Sequence, residues 1–145
     1  MTSKFVFTVA CSFFLLSSLQ LAQAAVVCPP NDAYDPCGCY EFVSKNDTIL
    51  LDCKNRNLTD SRMSEILNAF LTNPDISPVA EIDLRSNQLT RVPSQIRSFR
   101  QLENVDIIDN PIQSIEAGDF NITGNYPSLN IGPQLTTIAP GAFKG

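Results

Sequence analysis

Four cysteines within 26 positions, Cys28, Cys37, Cys39 and Cys53, form the densest reactive set in this chain. Thiols at that density either pair as disulfides in an oxidising compartment or hold a zinc ion as thiolates. Zinc sites usually space their ligands as Cys-x-x-Cys, whereas the close pair here is Cys37-x-Cys39, so two disulfides are expected and no metal. The remaining cysteine, Cys11, falls in a segment that reads as a removable leader.

Other chemistry is scarce. The chain has no histidine, which removes the commonest general base and every Ser-His, Cys-His and His-metal arrangement. No phosphate-cradling glycine loop and no dinucleotide fingerprint is present. Carboxylates are plentiful, 15 Asp and Glu against 10 Lys and Arg. An acidic chain without a Lys/Arg cluster is a poor match for nucleic acid or an anionic membrane.

The elements that position these groups begin beyond Ala24. Lys4 precedes an apolar run from Phe5 to Leu16, then polar Ser17, Ser18 and Gln20, then Ala22-Gln23-Ala24. A basic start, a short apolar middle and a small-x-small end mark a secretory signal peptide, with cleavage expected after Ala24. The run is short for a membrane anchor, which needs roughly 20 apolar residues. Without Lys4, nine basic residues face 15 acidic ones, a net charge of −6 for the mature chain. Export agrees with disulfides and with three N-glycosylation acceptors, Asn46-Asp-Thr48, Asn57-Leu-Thr59 and Asn121-Ile-Thr123.

An internal repeat organises the later part of the chain. Ile82, Leu84, Asn87, Leu89 and Val92 recur as Val105, Ile107, Asn110, Ile112 and Ile115, each 23 positions on. The same spacing carries Ile112 to Leu135 and Ile115 to Ile138. The pattern L-x-L-x-x-N-x-L at this period is that of leucine-rich repeats. The two apolar residues of L-x-L point into a core from a short strand. Asn87 and Asn110 end that strand, each as a buried amide that replaces backbone bonds where the ladder stops. Near Leu129-Asn-Ile131 the asparagine position is lost to Gly132-Pro133-Gln134, which predicts an irregular third repeat. Before the first repeat, Asp60 or Ser61 is placed to cap a helix with Met63, Ile66, Leu67 and Phe70 on one face. Asn73-Pro74 and Ser77-Pro78 end it. A partner-binding or membrane helix is conceivable; a core-facing one is the ordinary reading of such a stripe.

Cys28-Pro29, Cys37-x-Cys39 and Leu51-Asp-Cys53 followed by Leu58 resemble the cysteine-rich N-terminal cap of extracellular leucine-rich-repeat proteins. That resemblance implies the bonds Cys28–Cys39 and Cys37–Cys53. Chemistry alone disfavours Cys37–Cys39 and leaves Cys28–Cys37 with Cys39–Cys53 open. The cap, helix and repeat order, with the turns Ile115 to Phe120 and Pro140 to Phe143, is similar to arthropod secreted proteins related to the non-catalytic, leucine-rich subunit of shrimp luciferase. Those relatives are longer, which implies a truncated sequence or a short paralogue. The resemblance implies a supporting or binding role and no light-emitting chemistry.

The expected fold is therefore α/β: a short leucine-rich-repeat solenoid of about three repeats, with parallel strands on its concave face, a disulfide-bonded cap and one inserted helix. Residues 1–24 are the signal peptide, 25–59 the cap, 60–78 the helix and linker, and 79–145 the repeats. Three short repeats cannot enclose the deep cleft that a catalytic carboxylate pair needs, so no enzyme, catalytic residue or cofactor is expected. The middle residues of the strands project from the concave face: Asp52, Asp83, Asp106 and Asn130. Glu81, Arg85, Asn104, Ile108 and Lys54 flank them, and Arg85 and Lys54 partly offset the acids. Stacked like charges at strand spacing need a counter-charge, so the acidic ladder is expected to take a basic group or cation from a protein partner. The plainer reading is a solvated polar face. No closing cap follows Leu129, so a partner, a second copy or missing sequence covers the apolar end near Ile131, Ile138 and Phe143. These features lead to a secreted protein-binding module, with a non-catalytic scaffold subunit of a secreted enzyme as the alternative.

Overall fold

The computed structural model describes residues 26–42, 47–120 and 127–144. The expected signal peptide with its cleavage point after Ala24, and the acceptors Asn46 and Asn121, lie outside the described residues.

Short alternating segments become strands, and their order defines a mixed α/β architecture. The strands are β1 (Gly38–Glu41), β2 (Ile49–Asp52), β3 (Val79–Asp83), β4 (Asn104–Asp106), β5 (Ser114–Ile115), β6 (Ser128–Asn130) and β7 (Thr137–Ile138). One sheet has the order β1-β2-β3-β4-β6, and β5 pairs with β7 in a second. β1 runs antiparallel to β2, while β2, β3, β4 and β6 are mutually parallel neighbours. Parallel neighbours need a crossover between them, and each crossover here carries apolar residues back beneath the sheet. Asp52 pairs with Asp83, Asp83 with Asp106 and Asp106 with Asn130, so the first crossover is the longest and the last is one position longer than the second.

The longest crossover contains helix α2 (Asp60–Thr72), which buries Met63, Ile66, Leu67 and Phe70. Burial of such side chains contributes about 1.5–3 kcal/mol each. Its cap is Thr59, whose Oγ1 accepts the Arg62 N–H, and not Asp60 or Ser61, the residues expected from the sequence. Asp60 is engaged elsewhere: its carboxylate accepts the Thr90 N–H at 3.0 Å and the Thr90 hydroxyl at 2.5 Å, tying the helix start to the next crossover. Arg62 donates to the Asp35 carbonyl at 2.6 Å, tying the same helix to the N-terminal segment. That segment holds the short helix α1 (Asn31–Tyr34) and two disulfides, Cys28–Cys39 and Cys37–Cys53. At sequence separations of 11 and 16, each closure contributes about 3 kcal/mol on the chain-entropy argument.

Leu51, Ile82 and Val105 stand in one row across the sheet and are fully buried. Past each strand the chain turns sharply, with Asn55, Ser86 and Asp109 at φ of 54–55°. Left-handed backbone leaves peptide groups pointing inward, and the next asparagine satisfies them. Asn87 accepts the Leu58 N–H at 3.0 Å and the Arg56 N–H at 3.2 Å. Its amide donates to the carbonyls of Cys53, Leu84 and Arg85 at 2.8–3.2 Å. Asn110 repeats this one turn later, accepting from Leu89 and donating to Leu84, Ile107 and Ile108.

Asn87→Ala leaves buried donors and acceptors of two adjacent turns without partners. It is expected to cost about 3 kcal/mol, more than Asn110→Ala, which strands fewer groups. Urea unfolding with the disulfides intact reads the difference, and equal small losses would show that the amides are incidental.

Candidate binding face

The strand alternation sorts side chains to two faces, one apolar and one polar. The parallel register aligns the polar side into rows. One row runs Leu50, Glu81, Asn104, Ser128, and the next runs Asp52, Asp83, Asp106, Asn130. Lys54, Arg85 and Ile108 follow two positions beyond the acidic row. The sequence-derived set of Asp52, Glu81, Asp83, Arg85, Asn104, Asp106 and Ile108 thus lies on one surface. Asn87 and Asn110 lie beneath it in the turns, 2 % and 3 % exposed.

The aspartates have a structural task. Each accepts the backbone N–H two residues on, Lys54 for Asp52, Arg85 for Asp83 and Ile108 for Asp106, all at 3.2 Å. They close the strand ends just where the chain turns. Their charges are met within the chain as well. Lys54 Nζ is 3.0 Å from Asp52. Arg85 grips Asp83 with two bonds, Nε at 2.9 Å and Nη2 at 2.6 Å, and its Nε lies 3.6 Å from Asp106. Asn130 donates to Asp106 from the other side at 3.2 Å. The counter-charge that the ladder requires is therefore already supplied in large part by Lys54 and Arg85.

Arg85 makes the buried carboxylate tolerable. Burial pushes the Asp83 pKa up, but the Arg85 side-chain bond, the Arg85 N–H, and the charges of Arg85 and Lys54 outweigh it. The net result holds Asp83 below the ordinary carboxylate value. Arg85 is in turn pushed up, first by its bond to Asp83, then by that residue's charge.

Two residues of this face escaped the sequence reading, Tyr40 and Leu50. In β1, Gly38 pairs with Asp52 and Tyr40 with Leu50, so the antiparallel strand extends both rows. A side chain on Gly38 would collide with the Tyr40 ring, which lies across the glycine. Tyr40 is 54 % exposed and Leu50 half-buried, giving the polar surface one apolar margin. The signal was the alternation Cys39-Tyr40 beside a disulfide, which orients the tyrosine away from the sulfur side.

Of the acceptors for glycan, Asn57 is described: it is exposed, at φ 54°, in the turn leading to α2. A hollow of about 390 Å³ between α2 and the crossovers is lined by Asp60, Arg91, Glu116 and Asp119 among others. Its acids have internal work, Asp60 with Thr90, Glu116 with the Ser114 hydroxyl and Asp119 with the Glu116 N–H. Among the described residues no cluster of three or more His, Cys, Asp or Glu is placed to hold a metal ion. No described helix is long and apolar enough to cross a membrane.

Arg85→Met is expected to raise the Asp83 pKa, because burial then acts with less opposition. A carboxylate held low in the folded state stabilises fully above its unfolded pKa and loses that contribution as pH falls through the folded value. The variant should therefore be about 1–2 kcal/mol less stable near neutrality, with the gap closing in acid. Denaturation of both proteins across the acid range checks this, and a gap independent of pH would contradict it.

No family model matches this chain, and no solved structure matches it.

Proposed function

We propose that this chain is a secreted, leucine-rich-repeat recognition module that binds a protein segment on the polar, concave side of its sheet. The sheet rows carry the reading. Their side chains are held in place before any partner arrives, by strand-end bonds beneath and by Lys54 and Arg85 above. A face fixed in this way loses little conformational entropy on binding. The recurrence of Ile82 to Val92 at Val105 to Ile115, the asparagine turns and the disulfide-bonded N-terminal segment support the repeat assignment. The disulfides, with the leader-like stretch that ends at Ala24, support export.

The partner's chemistry follows from the residual imbalance. Asp52, Glu81, Asp83 and Asp106 exceed Lys54 and Arg85 by two charges, and among the described residues Glu81 is met by the Asn104 amide alone, at 3.4 Å. A cationic segment with an apolar or aromatic residue for the Tyr40–Leu50 margin fits such a face. Asp83 and Asp106 are poor positions for a test, because neutralising them also releases Arg85 and the strand ends.

Tyr40→Ala and Glu81→Lys spare those supports and are each expected to weaken binding of the copurifying partner by about tenfold or more. Added salt should weaken the unmodified complex too. A photoreactive side chain at position 40 should cross-link the partner, while one at Arg97 in the crossover should not. Cross-linking from Arg97 alone, with affinity indifferent to Tyr40 and Glu81, would overturn the reading.

A further inference from the structure

Asn57-Leu58-Thr59 is the glycan-acceptor pattern that lies whole among the described residues, and recognition by the sheet face makes no use of it. It follows β2 in the turn that leads to α2. Asn57 stands at φ 54°, a left-handed position that asparagine tolerates better than most residues with a side chain. It is exposed, and among the described residues its amide has no hydrogen-bond partner. Asn87 and Asn110 differ in both respects, being buried with their amides consumed by the turns. A large hydrophilic group on the Asn57 nitrogen would break no hydrogen bond and uncover no apolar surface.

The phase of the repeat sets Asn57 in line with Gln88 and Pro111. Leu58, Leu89 and Ile112 are buried in matching places, and the residue before each is exposed. The Gln88 N–H donates to the Leu58 carbonyl at 2.9 Å, which ties the first two of these positions into a rim beyond the strand ends. Tyr40 pairs with Leu50, near the start of β2, so the apolar margin of the polar face lies toward the opposite end of that strand. A glycan on the rim is compatible with a partner at Tyr40.

The other two residues of the pattern are engaged. Leu58 is 4 % exposed, and its N–H donates to Asn87 Oδ1 at 3.0 Å. Thr59 forms a bridge with Gln88, and its Oγ1 accepts the Arg62 N–H as the cap of α2. A glycan transferase needs a pliable acceptor segment whose hydroxyl it can read. The folded chain offers neither.

We propose that Asn57 carries an N-linked glycan, transferred before α2 closes on the acceptor segment. This rests on the export of the chain, part of the function proposed above. Asn57 Nδ2 forms a bond to the anomeric carbon of a lipid diphosphate-linked oligosaccharide. The bond from that carbon to the phosphate oxygen breaks, the lipid diphosphate leaves, and one Nδ2 proton passes to a base of the transferase. Folding then buries Leu58 and turns the Thr59 hydroxyl to the helix, while the sugar stays outside on the rim.

Peptide mapping of the secreted chain, with its glycans released in heavy-oxygen water, reads the site directly: Asn57 should be recovered as labelled aspartate. Asn57→Gly suits the left-handed position and Thr59→Asp keeps a capping oxygen, so both should fold, and each should lower the intact mass by one glycan. Thr59→Ser should retain it. Timing is read with unglycosylated chain, purified transferase and lipid-linked oligosaccharide. The reduced, unfolded chain should be modified at Asn57, and the oxidised, folded chain about tenfold or more slowly, since it must first open locally. A secreted chain with Asn57 bare, an intact mass unchanged in both Asn57→Gly and Thr59→Asp, or equal transfer to the folded and unfolded chains would each overturn this proposal alone. A chain retained inside the cell with Asn57 bare would overturn it together with export.

Discussion

The buried asparagine amide is the constraint on which the rest of the structure depends. A short parallel strand must stop, turn and dive beneath the sheet, and the turn leaves peptide groups inside with no ladder to satisfy them. Asn87 answers five of them and Asn110 four, each reaching into the adjacent turn as well as its own. Because each amide bonds to two turns at once, it fixes their relative position. That register then places Leu51, Ile82 and Val105 in one buried row and Asp52, Asp83 and Asp106 in one surface row.

The same register creates an electrostatic problem that the face must solve. Aspartates in adjacent strands stand about 4.8 Å apart, close enough to destabilise one another. Arg85 spans two of them and Lys54 takes the third, so the chain reaches a settled arrangement before meeting any ligand. Such preorganisation links stability to the proposed recognition. The side chains that keep the ladder charged are also the ones that present a rigid pattern of donors and acceptors beside Tyr40.

Much of this was legible in the residues, because it rests on spacing. The period of 23 placed β3 and β4 and their asparagines, and the apolar stripe placed α2. What depends on competition between neighbours was not legible. Thr59 caps α2 because Asp60 is drawn to Thr90, a contact between residues far apart in the chain. That Lys54 and Arg85 partly offset the aspartate row was legible, but not that Lys54 meets Asp52 while Arg85 reaches both Asp83 and Asp106. The 3₁₀ turn at Ser94–Ser98 has only Pro93 to announce it. Tyr40 joins the face because it stands in β1 and pairs with Leu50, and β1 lies outside the repeat and its spacing.

The most direct measurement is hydroxyl-radical footprinting of the chain in its native complex against the isolated chain. It reads side-chain exposure at Tyr40, Leu50 and Ile108 on the polar face, and at Leu71, Arg91 and Arg97 in the crossovers. Loss of reactivity at Tyr40, Leu50 and Ile108, with the crossover residues unchanged, is the expected result. Full reactivity at Tyr40 in the complex, with protection confined to the crossovers, would contradict recognition by the sheet face.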